Sequence, residues 1–75
     1  MGIELIQEKY KSSILCIIQQ KVQNNQISLE IMKDVFDKVE LSMDAIIYVN
    51  NFDDWIYELT NNSICDYYLK RSMTN

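Results

Sequence analysis

The residue types best suited to chemistry in this chain are its carboxylates and its two cysteines, because histidine is absent. Asp53 and Asp54 are adjacent, and Glu58 follows Asp54 by four residues, so a helix would place these last two on one face. Such a pair could bind Mg²⁺ or Ca²⁺, but these ions require several oxygens that converge from a defined loop. The pattern is more typical of solvated acids at the start of a helix. We therefore expect no metal site and no cofactor.

The two cysteines, Cys16 and Cys65, have no spacing typical of metal ligands. Cys16 lies within the apolar run 14–18, where burial would raise the pKa of its thiol and reduce its reactivity. We expect two reduced cysteines that pack as small apolar side chains. No histidine is available to activate a nucleophile, so the chain is not expected to be an enzyme.

The charge distribution excludes one class of partner. Between residues 28 and 66 lie nine acidic residues and two lysines, a balance of −7, and the whole chain carries −4. Phosphate backbones require clustered lysine and arginine, so we expect no direct binding to nucleic acid. Glu4 and Glu8 interrupt any signal peptide, and no apolar run approaches the ~18–20 residues of a membrane span. We expect a cytoplasmic protein without membrane contact.

Apolar residues recur at steps of three and four along the chain, which predicts an all-α protein. Asparagine doublets at 24–25, 50–51 and 61–62 are expected to end helices, since proline is absent and the only glycine is residue 2. The predicted architecture is a small antiparallel helical hairpin or bundle of three to four helices in a single domain, 1–75. The helices are expected at about 3–23, 29–49, 53–60 and 63–72.

Polar residues before the apolar series suggest where these helices begin. Ser28, Asp53 and Ser63 are the predicted N-caps of the second, third and fourth helices. Ser42 could instead divide the second helix in two. An alternative is a β-hairpin over residues 45–57, which are rich in β-branched and aromatic residues. The helical spacing continues through this stretch, so the helices are favoured.

The chain has more apolar surface than one internal seam can bury. Five consecutive apolar residues, 14–18, cover the whole circumference of a helix. A single core of this size supplies only ~3–5 kcal/mol, so a partner chain is the natural supplement. We expect a two-fold homodimer. The candidate self-association residues are Ile14, Leu15, Ile17, Ile18 and Ile47.

Six of the eight aromatic residues lie between residues 48 and 68. Tyrosine and tryptophan are enriched at the centres of protein interfaces, so this segment is the candidate surface for another protein. The candidate partner-binding residues are Phe52, Trp55, Tyr57, Tyr67 and Tyr68. The predicted function is a small non-enzymatic protein–protein interaction module of the adaptor, chaperone or inhibitor type.

The acidic middle of the chain motivates an alternative function. An acidic antagonist could block the basic groove of an enzyme that acts on nucleic acid, although such mimicry normally needs denser negative charge. The abundance of isoleucine, asparagine, lysine and tyrosine is typical of an AT-rich genome, and we expect a bacterial or viral source.

Overall fold

The computed structural model describes the backbone of residues 3–73 and the side chains of residues 4–71. Within that range the chain forms four α-helices and no strand: α1 (Ile3–Lys21), α2 (Asn25–Leu41), α3 (Met43–Ile46) and α4 (Phe52–Met73). The prediction of a small all-α bundle is confirmed, and the alternative of a β-hairpin over 45–57 is wrong. The predicted domain 1–75 also includes residues 1, 2, 74 and 75, which lie outside the described range.

The three long helices form the bundle. The connection of residues 22–24 turns α2 back along α1, so these two helices run antiparallel. α4 contacts both of them. Lys21 Nζ of α1 donates to Asn61 Oδ1 of α4 at 2.7 Å, and Lys38 Nζ of α2 donates to Ser63 Oγ at 3.1 Å. The short α3 lies at one end, between α2 and α4.

The core is built from one face of each long helix. Its buried side chains are mostly isoleucine and valine, which lie at three- and four-residue steps. They are Ile6, Tyr10, Ile14, Ile18 and Val22 from the α1 side, Ile31, Val35, Phe36 and Val39 from α2, and Ile56 and Ile64 from α4.

The junction between α1 and α2 differs from the sequence prediction. α1 ends at Lys21 instead of about 23, and α2 begins at Asn25 instead of 29. Asn24 is the N-cap, since its Oδ1 accepts a hydrogen bond from the Ile27 amide at 3.0 Å. Ser28, the predicted cap, is fully buried within the helix, and its Oγ lies 2.8 Å from the Asn24 carbonyl oxygen. That prediction is wrong because Asn24 already caps the helix four residues earlier.

The second predicted helix ends early. α2 stops at Leu41, and the division at Ser42, the alternative left open by the sequence, is confirmed. The Ser42 amide bonds to the carbonyl oxygens of both Lys38 and Val39, so the last turn tightens. α3 is only one turn long, and residues 47–51 lead from it to α4.

The two short helices predicted at 53–60 and 63–72 are one continuous helix, α4. Its first turn is capped by Asn51, whose Oδ1 accepts from the Asp54 amide at 3.1 Å, so the prediction of Asp53 as cap is wrong. The prediction of Ser63 as a cap is also wrong, because Ser63 is buried within the helix. No described residue has a positive φ angle, so asparagine acts here through its side chain and not through left-handed backbone.

Tertiary packing explains why the doublet at 61–62 fails to end α4. Thr60, Ser63 and Ile64 are all buried around it, against the other helices. Asparagine costs a helix interior at most ~0.7 kcal/mol relative to alanine, whereas burying an isoleucine stabilises by ~1.5–3 kcal/mol. Packing therefore outweighs local preference, and Asn61 stays on the exposed face, where Lys21 binds it.

Candidate protein-binding surface

An aromatic cluster joins the first half of α1 to the start of α4. The rings of Tyr10 and Phe52 have centroids 5.2 Å apart, and those of Phe52 and Trp55 lie 5.5 Å apart. Both pairs are tilted, which is a favourable arrangement for aromatic rings. These three residues are called the aromatic cluster below.

A hydrogen bond fixes the cluster to α4. Tyr10 Oη donates to Asp53 Oδ1, and the Lys9 ammonium lies over the Tyr10 ring at 5.3 Å from its centroid. The hydrogen bond to Asp53, together with burial and the negative charge of that carboxylate, raises the pKa of Tyr10 to about 12. The phenol therefore stays protonated and keeps α1 and α4 in register at neutral pH.

Beside the aromatic cluster lies an open, mostly apolar groove of about 560 Å³. We call it the α1–α4 groove, and its lining residues come from the first half of α1, from α3 and from the start of α4. They are Leu5, Ile6, Glu8, Lys9, Tyr10, Ile46 and Phe52. Leu5 is 59% exposed although it faces this groove. The volume lies in the range of about 300–1,000 Å³ that is typical of binding pockets.

A second apolar feature lies close to the groove residue Ile46 in the sequence. Leu41, Ile47 and Tyr48 are exposed by 87%, 78% and 81%, and they lie on the segment 41–48, which includes the groove residue Ile46. We call these three side chains the apolar arm. Such large apolar side chains concentrated in one surface segment are typical of interaction sites.

The predicted partner-binding residues fall into separate places. Phe52 and Trp55 are together in the aromatic cluster, whereas Tyr67 and Tyr68 meet edge-on near the other end of α4, with centroids 5.7 Å apart. Phe52, Trp55, Tyr57 and Tyr67 are half-buried and pack against the core. Only Tyr68 is exposed. The structure thus does not bring the five residues into one surface.

The predicted self-association residues are also divided. Ile14 and Ile18 are completely buried in the core of the chain, so in this fold they offer no surface to a second copy. Leu15 and Ile17 are half-buried. Ile47 is the exposed member of the set and belongs to the apolar arm.

The apolar run 14–18 contains both buried residues and an exposed one, Cys16. It is exposed, as is Cys65, so the expectation that the cysteines pack as apolar side chains is wrong, although both are free thiols. Ile14 and Ile18 occupy the inward positions of α1, and Cys16 lies two residues from each, which places it on the opposite side of the helix.

The sequence-based candidates do not include eight residues of this surface. They are Leu5, Ile6, Glu8, Lys9, Tyr10 and Ile46 of the groove, and Leu41 and Tyr48 of the apolar arm. Leu5 and Leu41 lie outside the inward-facing series of their helices, and an apolar residue in that position is a usable signal of surface apolarity. The spacing of Tyr10 from Ile6 and Ile14 places it on the apolar face of α1, but its bond to Asp53, 43 residues away, has no counterpart in local spacing.

Elsewhere the charged residues pair across the bundle. Lys38 Nζ lies 3.0 Å from Asp34 Oδ2 and 3.4 Å from Asp66 Oδ2. Burial lowers the pKa of Lys38, but the hydrogen bonds and charges of the two carboxylates outweigh it and raise that pKa. Arg71 lies over the Tyr67 ring and donates to its Oη at 2.7 Å. These contacts join α2 to α4 and order the last turns of α4.

Two further observations concern the described part of the chain. Among its residues, no group of three or more acidic or cysteine side chains lies close enough together to hold a metal ion. None of the described helices combines the length and the apolar character needed to cross a membrane.

Comparison with characterised proteins finds a similar chain in the RNA polymerase sigma factor SigZ of Bacillus subtilis (strain 168), 28% identical over 68 residues. The aligned region covers 91% of the present chain and 39% of SigZ, so the chain spans about two fifths of that relative's length. No family model matches the chain. No solved structure matches it either.

Proposed function

We propose that this chain is a non-enzymatic protein-binding module whose partner is RNA polymerase. The single observation that carries the proposal is the apolar arm, which holds three large side chains almost fully in solvent. The similarity to an RNA polymerase sigma factor over nearly the whole chain supports the choice of partner. On this proposal the protein works in the cytoplasm of a bacterium.

The energetics favour burial of the apolar arm against another protein. Fully burying a leucine or isoleucine side chain stabilises by ~1.5–3 kcal/mol. Leu41, Ile47 and Tyr48 contribute little of this within the described structure, since each is more than three quarters exposed. A partner that covers all three side chains gains free energy from their burial. That gain offsets much of the free-energy cost of association.

The position of the arm also suits a binding role. It runs from the last residue of α2, Leu41, into the connection to α4. In that connection α3 supplies one turn, and the amides of Tyr48 and Val49 bond back to the carbonyl oxygens of Ala45 and Ile46. Loops held by a rigid scaffold are common binding elements. Changes to the exposed side chains should therefore alter binding without unfolding the bundle.

The test is binding of the labelled chain to purified bacterial RNA polymerase core enzyme, measured by fluorescence anisotropy. The double variant Ile47→Ser/Tyr48→Ser should bind at least about tenfold more weakly, because interface centres often lose more than 1.4 kcal/mol on truncation. Leu69→Ser is the matched control. Leu69 is exposed on α4, about 25 Å along the helix from Phe52 at 1.5 Å per residue. Circular dichroism should show the same helicity in all three proteins.

Either of two results would contradict the proposal: no binding of the wild-type chain to polymerase, or equal binding by the arm variant and the control. A labelled duplex DNA serves as a second ligand. We expect no binding to it at physiological salt, because the net charge of −4 opposes a phosphate backbone.

A further inference from the structure

We propose that the α1–α4 groove is the seat of one amphipathic helix of the partner protein, with lysine or arginine beside its apolar face. The inference rests on the proposed function only in that the partner is a protein. It adds which surface receives that partner and which chemistry the partner presents.

The apolar floor of the groove indicates that the partner helix presents an apolar face. Leu5, Ile6, Ile46 and Phe52 come from three different helices and line one open space of about 560 Å³. Leu5 leaves most of its side chain uncovered there. An amphipathic helix fills such a groove with anchors at i, i+3 or i+4, and i+7.

Carboxylates beside the groove, called the acidic rim, indicate that the partner helix also carries basic residues. Glu8 lines the groove, and Glu4 lies one turn earlier on the same face of α1. Asp53 lies beside the groove, since it follows the lining residue Phe52 and accepts a hydrogen bond from the lining residue Tyr10. All three carboxylates are on exposed residues, so a partner's cations can reach them.

The lysines of α1 offset only one of the three carboxylates of this rim. Lys9 lies over the Tyr10 ring and is the one cation among the groove-lining residues. Lys11 points to another side of the helix, where it lies with Met32 and Asp37 of α2. The complement of an apolar floor with an acidic rim is an apolar helix flanked by basic residues.

Charge also argues against a second copy of the chain as the occupant. A copy carries −4, and its own apolar arm is preceded by Glu40 and followed by Asp53 and Asp54. Acidic surfaces brought together in this way repel each other. A basic partner avoids this electrostatic repulsion and is attracted by the same carboxylates.

The chain contains a built-in reporter for occupation of the groove. Trp55 is its single tryptophan, and its ring contacts Phe52, which lines the groove. A helix seated against Phe52 changes the surroundings of that indole. Tryptophan emission of the intact chain therefore follows binding without a label.

The experiment titrates the full chain with a designed helical peptide made of leucine on one face and lysine beside it. A counterpart with glutamate in place of lysine is the control peptide. We expect the lysine peptide to shift the Trp55 emission saturably and the glutamate peptide to have no effect at the same concentrations. Raising the salt concentration should weaken the lysine complex.

Two pairs of variants locate the peptide. Leu5→Ser is matched with Leu69→Ser, since both leucines are 59% exposed and only Leu5 lines the groove. Glu4→Gln/Glu8→Gln is matched with Glu30→Gln/Asp37→Asn, which removes the same charge from α2. We expect Leu5→Ser and the α1 pair each to weaken binding about three- to tenfold, and the matched controls to leave it unchanged.

Equal affinity for the two peptides, or equal effects of groove variants and their controls, would overturn the inference. A dimer that Leu5→Ser dissociates in light scattering would also overturn it, by assigning the groove to a second copy. If the chain binds polymerase but shows no groove-dependent peptide binding, this inference is refuted and the proposed function stands. If it shows groove-dependent peptide binding but does not bind polymerase, the proposed function is refuted and this inference stands.

Discussion

Ser28 offers the sharpest test of how α2 is built. Sequence spacing assigns it to the helix N-cap, where aspartate is among the preferred residues. The structure instead buries Ser28 completely and gives the cap to Asn24. Replacement of Ser28 by aspartate should therefore have opposite consequences under the two assignments.

The magnitude follows from the surroundings of Ser28. Its Oγ lies 2.8 Å from the Asn24 carbonyl oxygen and 3.2 Å from that of Val22, and both are acceptors. An aspartate carboxylate has no proton to donate, so it would face two oxygens in a site without solvent. An uncompensated buried charge costs about 3–5 kcal/mol, which is comparable to the whole stability expected of a core this small. We expect Ser28→Asp to be largely unfolded at 25 °C and neutral pH.

The assay is urea and thermal denaturation followed by far-ultraviolet circular dichroism. Asn24→Asp is the matched control, because aspartate at the true N-cap accepts the same amide bond and favours the helix dipole. It should melt within a few degrees of the wild type, whereas Asn24→Ala should cost about 1 kcal/mol, or about 4–8 °C for a domain of this size. Ser28→Ala should stay folded, since it loses only the hydroxyl bond at ~0.5–1.5 kcal/mol.

The reasoning would be refuted by a Ser28→Asp protein that is fully helical and melts within about 5 °C of the wild type. That result would mean that residue 28 has access to solvent and that α2 begins later than Asn25. A large loss of stability in Asn24→Asp would contradict the capping assignment independently.

Three further predictions concern the packing of α1 and α4. The raised pKa of Tyr10 gives a stabilisation that is complete below pH about 10 and is lost as the pH rises through about 12, so the wild-type melting temperature should fall over this range more steeply than that of Tyr10→Phe. Equal slopes for the two proteins would contradict the contact with Asp53. Asn51→Ala should lower the free energy of unfolding by about 1 kcal/mol in urea titrations, and Asn51→Asp should restore most of it. Ile14→Val should cost about 0.5–1.5 kcal/mol and Ile17→Val distinctly less, because only Ile14 is fully buried; equal costs would show that the core is wrongly placed.

The helical class could be predicted from the sequence, and two of the three asparagine doublets lie at helix boundaries. Steps of three and four between apolar residues depend only on the geometry of a single helix, so Ile6, Tyr10 and Ile14 mark the inner face of α1 before any partner is known. Asn24 and Asn51 each cap the helix that follows, so the doublets at 24–25 and 50–51 mark helix starts and not the predicted helix ends. These are local effects of a few residues.

The choice among equivalent local signals could not be predicted. Ser28, Ser63 and the doublet at 61–62 resemble helix starts or ends as closely as Asn24 and Asn51 do, yet all lie inside helices. Burial decides between them, because a small polar residue can be covered by neighbouring helices as easily as it can cap one.

The candidate surface could likewise be predicted only in part from the sequence. Composition indicated that apolar side chains exceed what the core can bury, and this is a property of the sequence alone. Which of them remain in solvent was decided by tertiary packing: Ile14 and Ile18 face two other helices, whereas Ile47 follows the single turn of α3 and faces none. The α1–α4 groove likewise depends on tertiary structure, because its lining joins α1 to Ile46 and Phe52, and the bond between Tyr10 and Asp53 links α1 to the start of α4 across 43 residues of chain. Local spacing carries no information about such a distance, and only the folded bundle supplies it.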